Sequence, residues 1–378
     1  MSTIHKIGII GAGNISEAYL QLAPLFPLAK IVAVADIAPA AAKARADQFG
    51  VAALTVDELL KDSEIDTVIN LTIPAAHYEI SHSILSAGKH AYSEKPFALS
   101  LDDAKKLVAE ADARGLKLGS APDTFLGGGG QTARRLIDEG KVGRIIAGTM
   151  HFMGHGMEAW HPNPTFFFQP GGGPILDMGP YYTSALINLI GPAKSVTAIA
   201  TKGFEERFVT AEGPMKGKSI PVVVPTTINA IIEFVSGAQV TFGASWDVWK
   251  HGHSNPIELY GSDGTMLVPD PNFFGGIVRY TEKGGDFIDV DAAEAPFGRS
   301  NWKNGWANYR MLGVADLLDA AEQGREARCS GRVALHALDI MVSILEAAAT
   351  GKVIQLSTTT ERPAPLTAAD AERLIAGR

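Results

Sequence analysis

The sequence predicts an α/β fold: an N-terminal doubly wound parallel sheet, followed by an α+β domain with a large, mostly antiparallel open sheet. Three observations carry this. Residues 4–36 read as strand, glycine turn, helix, strand and acid. Apolar strand-like runs then alternate with helical stretches of ten to fifteen residues as far as Ser120, the pattern of βαβ units. Beyond residue 144, long runs rich in Val, Ile, Thr and Phe are separated by short turns such as Ser236-Gly237 and Ser262-Asp263-Gly264, the pattern of antiparallel pairing. A length of 378 residues exceeds what one small core serves, so the division expected is 1–122 and 123–378.

In order, Ile7–Ile10 is a strand meeting the turn Gly11-Ala12-Gly13, and Asn14 to about Leu22 is an amphipathic helix. Ile31–Ala35 is the next strand, ending in Asp36. Pro39–Phe49 reads as a helix stopped by Gly50, and Val56–Lys61 as a short one. The strand 67–71 leads through the Thr72-Ile73-Pro74 turn into a helix over His77–Ala87. His90–Ser93 is a strand ending at Glu94-Lys95-Pro96, and Ser100 caps a helix over Leu101–Arg114. Leu116–Ser120 closes the first half. In the second half, the glycine run 127–130 leads into a helix over Gln131–Glu139. Helices near Asp177–Ile190, Asn308–Gln323 and Gly331–Thr350 are expected to cover one face of the second sheet. The other face then calls for a partner subunit.

Composition narrows the classes. The chain is 46% apolar, with a formal net charge of −8 and no basic clusters, which argues against nucleic acid. No uninterrupted apolar run reaches the roughly 18 residues of a membrane span, and a strand beginning by Ile4 leaves no room for a signal peptide. Cys329 is the only cysteine, so neither a disulfide framework nor a cysteine-rich metal site is expected. Together these fit a cytoplasmic protein without membrane contact.

The chemistry is densest at the strand ends. Gly11 permits a sharp turn, and Gly13 carries no side chain to hold a pyrophosphate off the backbone. The helix that follows offers free N–H groups, from Asn14 and Ile15 onward, and a positive dipole end. Ser16 occupies the third glycine position and is small enough for close packing. Asp36 lies where a carboxylate accepts hydrogen bonds from the adenosine ribose. This is a dinucleotide site of the Rossmann kind. With Ile37, Ala38 and Pro39 after Asp36, no adjacent arginine receives a 2′-phosphate, so NAD is expected over NADP; Lys43 and Arg45 lie further along. Thr72, Pro74, His77, Glu94 and Lys95 follow strand ends and are expected on the same cofactor rim.

Two more motifs join this turn: Glu94-Lys95-Pro96, and the stretch from Gly171 to Tyr181, GGGPILDMGPY. With the GAGNIS turn, the Asn70–His77 segment and the late Gly324-Arg325 turn, they resemble the glucose–fructose oxidoreductase, inositol dehydrogenase and rhizopine-catabolism (Gfo/Idh/MocA) family over nearly the whole chain. The resemblance implies a Rossmann domain, a second domain with a large open sheet that commonly forms oligomer contacts, and hydride transfer between NAD(P) and sugars or polyols. It places Lys95 on the family's catalytic lysine, with a cis peptide before Pro96, and Asp177 on its substrate-binding aspartate. Tyr181 stands where the family usually carries a catalytic histidine, which leaves open whether Lys95 or Tyr181 moves the proton. The glycine- and proline-rich variant also looks like a bacterial subgroup that includes D-apiose dehydrogenases, for which an aldose would give a lactone. A homodimer or homotetramer through the second sheet is the implied assembly.

Substrate contacts are expected from the long loop 154–164, where Trp160 offers a stacking face and His161 and Asn163 offer polar groups. Asp123, at the domain junction, and Arg310 are further candidates. No metal is expected. His151, His155, Glu158 and His161 have ligand chemistry, but Gly154 and Gly156 break the helix that i, i+4 spacing requires. The rival from another class is a non-catalytic sensor of NAD and sugar with the same fold, and the presence of Lys95 and Asp177 speaks for an enzyme.

Overall fold

The computed structural model describes residues 4–375. Its first sheet holds β1 (His5–Ile10), β2 (Ala29–Ala35), β3 (Ala52–Leu54), β4 (Thr67–Asn70), β5 (His90–Ser93) and β6 (Leu118–Ser120), all parallel, in the order β3-β2-β1-β4-β5-β6. The winding reverses between β1 and β4, which opens a crevice at the carboxyl ends of those strands. The connecting helices are α1 (Asn14–Leu22), α2 (Pro39–Phe49), α3 (Val56–Lys61), α4 (His77–Ser86) and α5 (Leu101–Arg114). Their ends are set locally, as the sequence predicts. Gly50 and Gly115 close α2 and α5 in the left-handed conformation, and the Ser100 side chain accepts from Asp103 N–H.

The chain then forms α6 (Gly128–Asp138), β7 (Ile145–Met153), α7 (Gly173–Ile190), β8 (Ala193–Thr201), β9 (Glu206–Phe208) and β10 (Ser219–Pro221). Next come β11 (Thr227–Phe234), β12 (Gln239–Ser245), β13 (Ile257–Gly261), β14 (Gly264–Val268), β15 (Ile277–Glu282) and β16 (Ile288–Asp291). The last elements are α8 (Leu312–Gln323), α9 (Gly331–Thr350), β17 (Ile354–Gln355) and α10 (Ala368–Leu374). The second sheet has nine strands, ordered β16-β15-β14-β13-β7-β12-β11-β8-β17. Only β7 and β12 pair in parallel; the rest is antiparallel, as expected. α7 and α9 cover one face, against which Ile228, Ile232, Val240 and Phe242 are buried. On the other face Ile199 and Ile231 are exposed.

Three expectations are corrected. The glycine run enters the helix instead of preceding it, so α6 starts at Gly128. A Cβ on any of Gly127 to Gly130 would come within 2.3–2.6 Å of the backbone of Phe125, Phe274, Gly275 or Gly298, so these glycines serve close packing. The α7 helix begins at Gly173, four residues before the expected start at Asp177, and runs through Pro180. Finally, α8 covers the first sheet. Leu317 and Leu318 are buried with Ile7, Ile9 and Val34, and α10 packs on α8 in turn. An apolar stripe says that a helix face is buried, not against which sheet.

Among the described helices, α9 alone is long and apolar enough to cross a membrane, with a hydropathy of 1.6. Here it packs against β8, α7 and α5.

Candidate active site

The glycine turn is built as its residues require. Gly11 has φ +109°, and a Cβ there would lie 2.5 Å from the Leu71 backbone. Nothing stands within 4 Å of a Cβ on Gly13, so the space beside it is open to a ligand. Asp36 Oδ2 accepts from Ala12 N–H at 2.7 Å and Oδ1 from Ala38 N–H at 2.8 Å, which fixes the carboxylate beside the turn. Ser16 is buried and returns its hydroxyl to Gly13 O at 2.6 Å. Arg45 reaches Gly13 O at 3.3 Å while engaged with Glu17 and Gln48, whereas Lys43 pairs with Asp47 on the surface. An open cradle over Gly13, the free start of α1 and a fixed acid fit the diphosphate and ribose of a dinucleotide.

At the next strand ends, Asn70 Oδ1 accepts from both Thr72 N–H and its hydroxyl, at 3.2 and 2.7 Å. Pro74 opens the short turn before α4. His77 does not face the rim, contrary to expectation. It is 1% exposed, and its ring nitrogens lie 2.6 Å from Pro96 O and 3.0 Å from Thr72 O. Burial pushes its pKa down. It clamps the two loops that carry Thr72 and Lys95, so its effect on a ligand is indirect.

The Lys95-Pro96 peptide is cis. Glu94 is held by Tyr19 Oη–H at 3.1 Å and by Lys95 N–H at 3.0 Å. Lys95 Nζ donates to Asp177 Oδ1 and to Asp177 O, both at 2.8 Å, across 82 residues of sequence. Its Nζ lies 5.5 Å from the centroid of the Tyr181 ring. The α7 geometry explains the meeting: positions 177 and 181 share a face. Burial opposes the lysine charge, but Asp177, Tyr181 and Glu94 outweigh it and hold the ammonium well above the ordinary lysine range. The Tyr181 phenol is raised by burial, against the opposing pull of Lys95 and Arg310.

Asp123 is a second correction. It is 1% exposed, and its Oδ2 accepts from Gly313 N–H at 3.0 Å. Burial raises it to about 6. It lies beneath the site and ties the junction to α8, with no face to offer a substrate. Arg310 comes nearer: its charge acts on Tyr181 and Glu94. Sequence reasoning missed Tyr19. It lies on the buried stripe of α1, and nothing local marks the hydroxyl that holds Glu94.

Of the loop residues, Trp160 lines a cleft of about 760 Å³ with His151, Met178, Tyr182, His253 and Asp270. His161 and Asn163 do not line it. Instead, His161 Nδ1 accepts from Asn163 N–H at 3.1 Å, and its ring sits edge-on to Trp160, Phe166 and Phe167. A buried ion cluster that no local pattern marks anchors this loop. Arg207 binds Glu158 Oε1 at 2.8 Å, Trp246 O at 2.8 Å and the Asp247 carboxylate. Glu158, one of the residues with ligand chemistry, is thereby committed, and His155 stacks on Trp249 at 3.2 Å. Among the described residues no group of three or more His, Cys, Asp or Glu is placed to hold a metal.

The oxidoreductase family GFO_IDH_MocA, with its NAD-binding Rossmann fold, matches residues 5–121, and the GFO/IDH/MocA C-terminal domain matches residues 131–267. The chain belongs to the GFO/IDH/MocA family. Its first domain is accordingly an NAD-binding Rossmann domain, and the protein is an oxidoreductase. The 1,5-anhydro-D-fructose reductase of Ensifer adhaerens is 24% identical over 362 residues, which cover 94% of this chain and 99% of that protein. An uncharacterized oxidoreductase of Schizosaccharomyces pombe is 30% identical over 181 residues, 45% of this chain and about half, 48%, of its own length. Among solved structures, levoglucosan dehydrogenase in complex with NADH and L-sorbose has a TM-score of 0.79 at 21% identity, covering 95% of this chain and 100% of that one. An NAD-binding oxidoreductase from Klebsiella pneumoniae reaches 0.81 at 21% identity, covering 94% and 100%. At such identities these likenesses speak to the fold.

Proposed function

We propose that this protein is an NAD-dependent dehydrogenase that moves a hydride between a CH–OH carbon of a sugar or polyol and the nicotinamide. One observation carries the reading: Lys95 Nζ and the Asp177 carboxylate, joined at 2.8 Å, stand beside Tyr181 at the strand-end rim. Bound at the glycine turn and Asp36, NAD supplies the hydride acceptor. Lys95 is a charged donor and Tyr181 a protonated phenol, so both donate hydrogen bonds to a substrate oxygen and orient its carbon. Asp177 accepts from a neighbouring hydroxyl. In the reducing direction either donor delivers the proton. In the oxidising direction the proton leaves through Lys95 or Tyr181, since positive charge brought next to the pair disfavours the ammonium and favours the phenolate alike. Relatives named for levoglucosan, inositol and D-xylose support a sugar or polyol substrate, and an aldose such as D-apiose, giving a lactone, belongs in the same test. The exposed Ile199 and Ile231 on the free sheet face support self-association there, as a homodimer or homotetramer.

A panel of aldoses, polyols and inositols with NAD, followed at the reduced-nicotinamide absorbance, tests the reaction. Turnover of at least one member is expected. Tight NADH binding without turnover on any of them is the sensor's signature and would overturn the reading. For the cofactor, Asp36→Ala should weaken NAD relative to NADP by ~1–3 kcal/mol in fluorescence titrations, the scale of a lost charged hydrogen bond plus a relieved repulsion. An unchanged preference would remove Asp36 from the ribose.

A further inference from the structure

The cleft that Trp160 lines begins one helical step from the catalytic face of α7. Asp177 and Tyr181 point at Lys95, while their neighbours Met178 and Tyr182 line the cleft; consecutive Cα atoms are about 3.8 Å apart. The space is about 760 Å³, and neither the glycine turn, Asp36, Thr72 nor Lys95 borders it. The cleft is thus lined apart from the residues expected to hold the cofactor, and its lining includes neither Asp177 nor Tyr181.

The lining has the chemistry of carbohydrate recognition: flat faces and dispersed neutral polar groups. Trp160 is 65% exposed. The rings of His151 and His253 stack at 4.0 Å and 7°, a geometry that opposite Gly243 allows, since a Cβ there would stand 2.9 Å from His151 Nδ1. Asn255 borders the same space. Its charges are cancelled or suppressed. Arg279 is committed to Asp289 by two contacts, at 2.8 and 3.0 Å. Asp270 accepts from Tyr182 Oη–H at 3.0 Å, and burial holds its carboxyl above the usual range. Burial also keeps His151 toward its neutral form. Arg279 is the one lysine or arginine among the lining residues.

We propose that this cleft is a second sugar subsite, and that the substrate is a neutral glycoside of at least two rings, oxidised on the ring held by Lys95 and Asp177 while the next ring lies against Trp160 and the His151–His253 pair. This rests on the dehydrogenase reading above. It favours neutral glycosides over sugar phosphates and nucleotide sugars, because the one lysine or arginine of the lining, Arg279, is already paired with Asp289.

The experiment compares kcat/KM with NAD for cellobiose, maltose and lactose against glucose and galactose, in the full-length protein and in its His253→Ala and Asn255→Ala variants, each checked by thermal unfolding. At least one disaccharide should exceed its monosaccharide by about tenfold or more, equivalent to ~1.4 kcal/mol. Both variants should bring that ratio down toward one. Monosaccharides used as well as or better than disaccharides, or a ratio that neither variant moves, would overturn the subsite and leave the dehydrogenase standing. NADH binding with no turnover of any sugar would overturn the dehydrogenase reading and the subsite together.

Discussion

Two ion clusters hold distant parts of this chain together, and they differ in what surrounds them. Lys95 meets Asp177 across 82 residues with 18% and 22% of the side chains exposed. Arg207 meets Glu158 and Asp247 with 3%, 9% and 11% exposed. The second cluster is closed. Asp247 Oδ2 accepts from the hydroxyls of Thr226 and Thr227 at 2.8 and 2.6 Å, and Arg207 also serves Trp246 O. The Lys95 cluster keeps solvent access at a strand end, where a ligand can join it. The same pairing of charges is thus a scaffold in one place and, on the function proposed above, a reactive site in the other. Access decides between them, since a buried pair that loses a partner leaves an uncompensated charge, whereas an accessible one is hydrated.

The contrast is sharpened first by Lys95→Met. Its kcat/KM should fall by roughly 10²–10⁴, the scale of general acid–base catalysis, while the urea midpoint stays near that of the parent because water reaches Asp177. A large loss of stability would place Lys95 among the scaffold residues and break the comparison. Next, Arg207→Met should cost about 3–5 kcal/mol in urea unfolding, because Glu158 and Asp247 keep buried charges without their partner. Adding Glu158→Gln and Asp247→Asn should recover part of that loss. If Arg207→Met left stability intact but abolished activity, the roles of the two clusters would be exchanged.

The smallest effect concerns titration, again one group beneath the site and one in the scaffold. Asp123 is raised to about 6 from 3.8, so its folded form binds the proton more tightly. Its stabilising contribution is complete below pH ~4 and is lost as pH rises through 6, at most about 3 kcal/mol. His336 accepts from Ala193 N–H at 2.9 Å, and burial lowers it to about 4 from 6.5. Its contribution is complete above pH ~6.5 and is lost as pH falls through 4, by a similar amount of about 3 kcal/mol. The two oppose each other. Relative to the parent, Asp123→Asn should gain stability as pH rises from 4 to 6.5, and His336→Gln should lose it. Thermal midpoints across that range read both; parallel curves for all three proteins would refute the assignment.

Much of the site was legible because its parts are local. The turn at Gly11 and Gly13, the acid after β2, and Lys95 beside Pro96 each depend on a few adjacent residues whose backbone needs are written in their side chains. What sequence misplaced depends on partners far along the chain. His77 and Asp123 have the right chemistry for a rim, yet each spends its polar atoms on backbone groups brought in by folding. Tyr19 and Arg207 carry no local mark in the sequence, yet they support Glu94 and the loop that bears Trp160.

By itself, then, the sequence determined the order of strands and helices and the dinucleotide turn, because periodicity and turn chemistry act over a few residues. Only the tertiary structure decided that α8 crosses back to the first sheet, that α7 runs unbroken through Pro180 to set Asp177 and Tyr181 before Lys95, and that a neutral cleft opens beside them. Those outcomes turn on which surfaces exclude water together, and an apolar stripe or a charged side chain does not name its partner until the chain has closed around it.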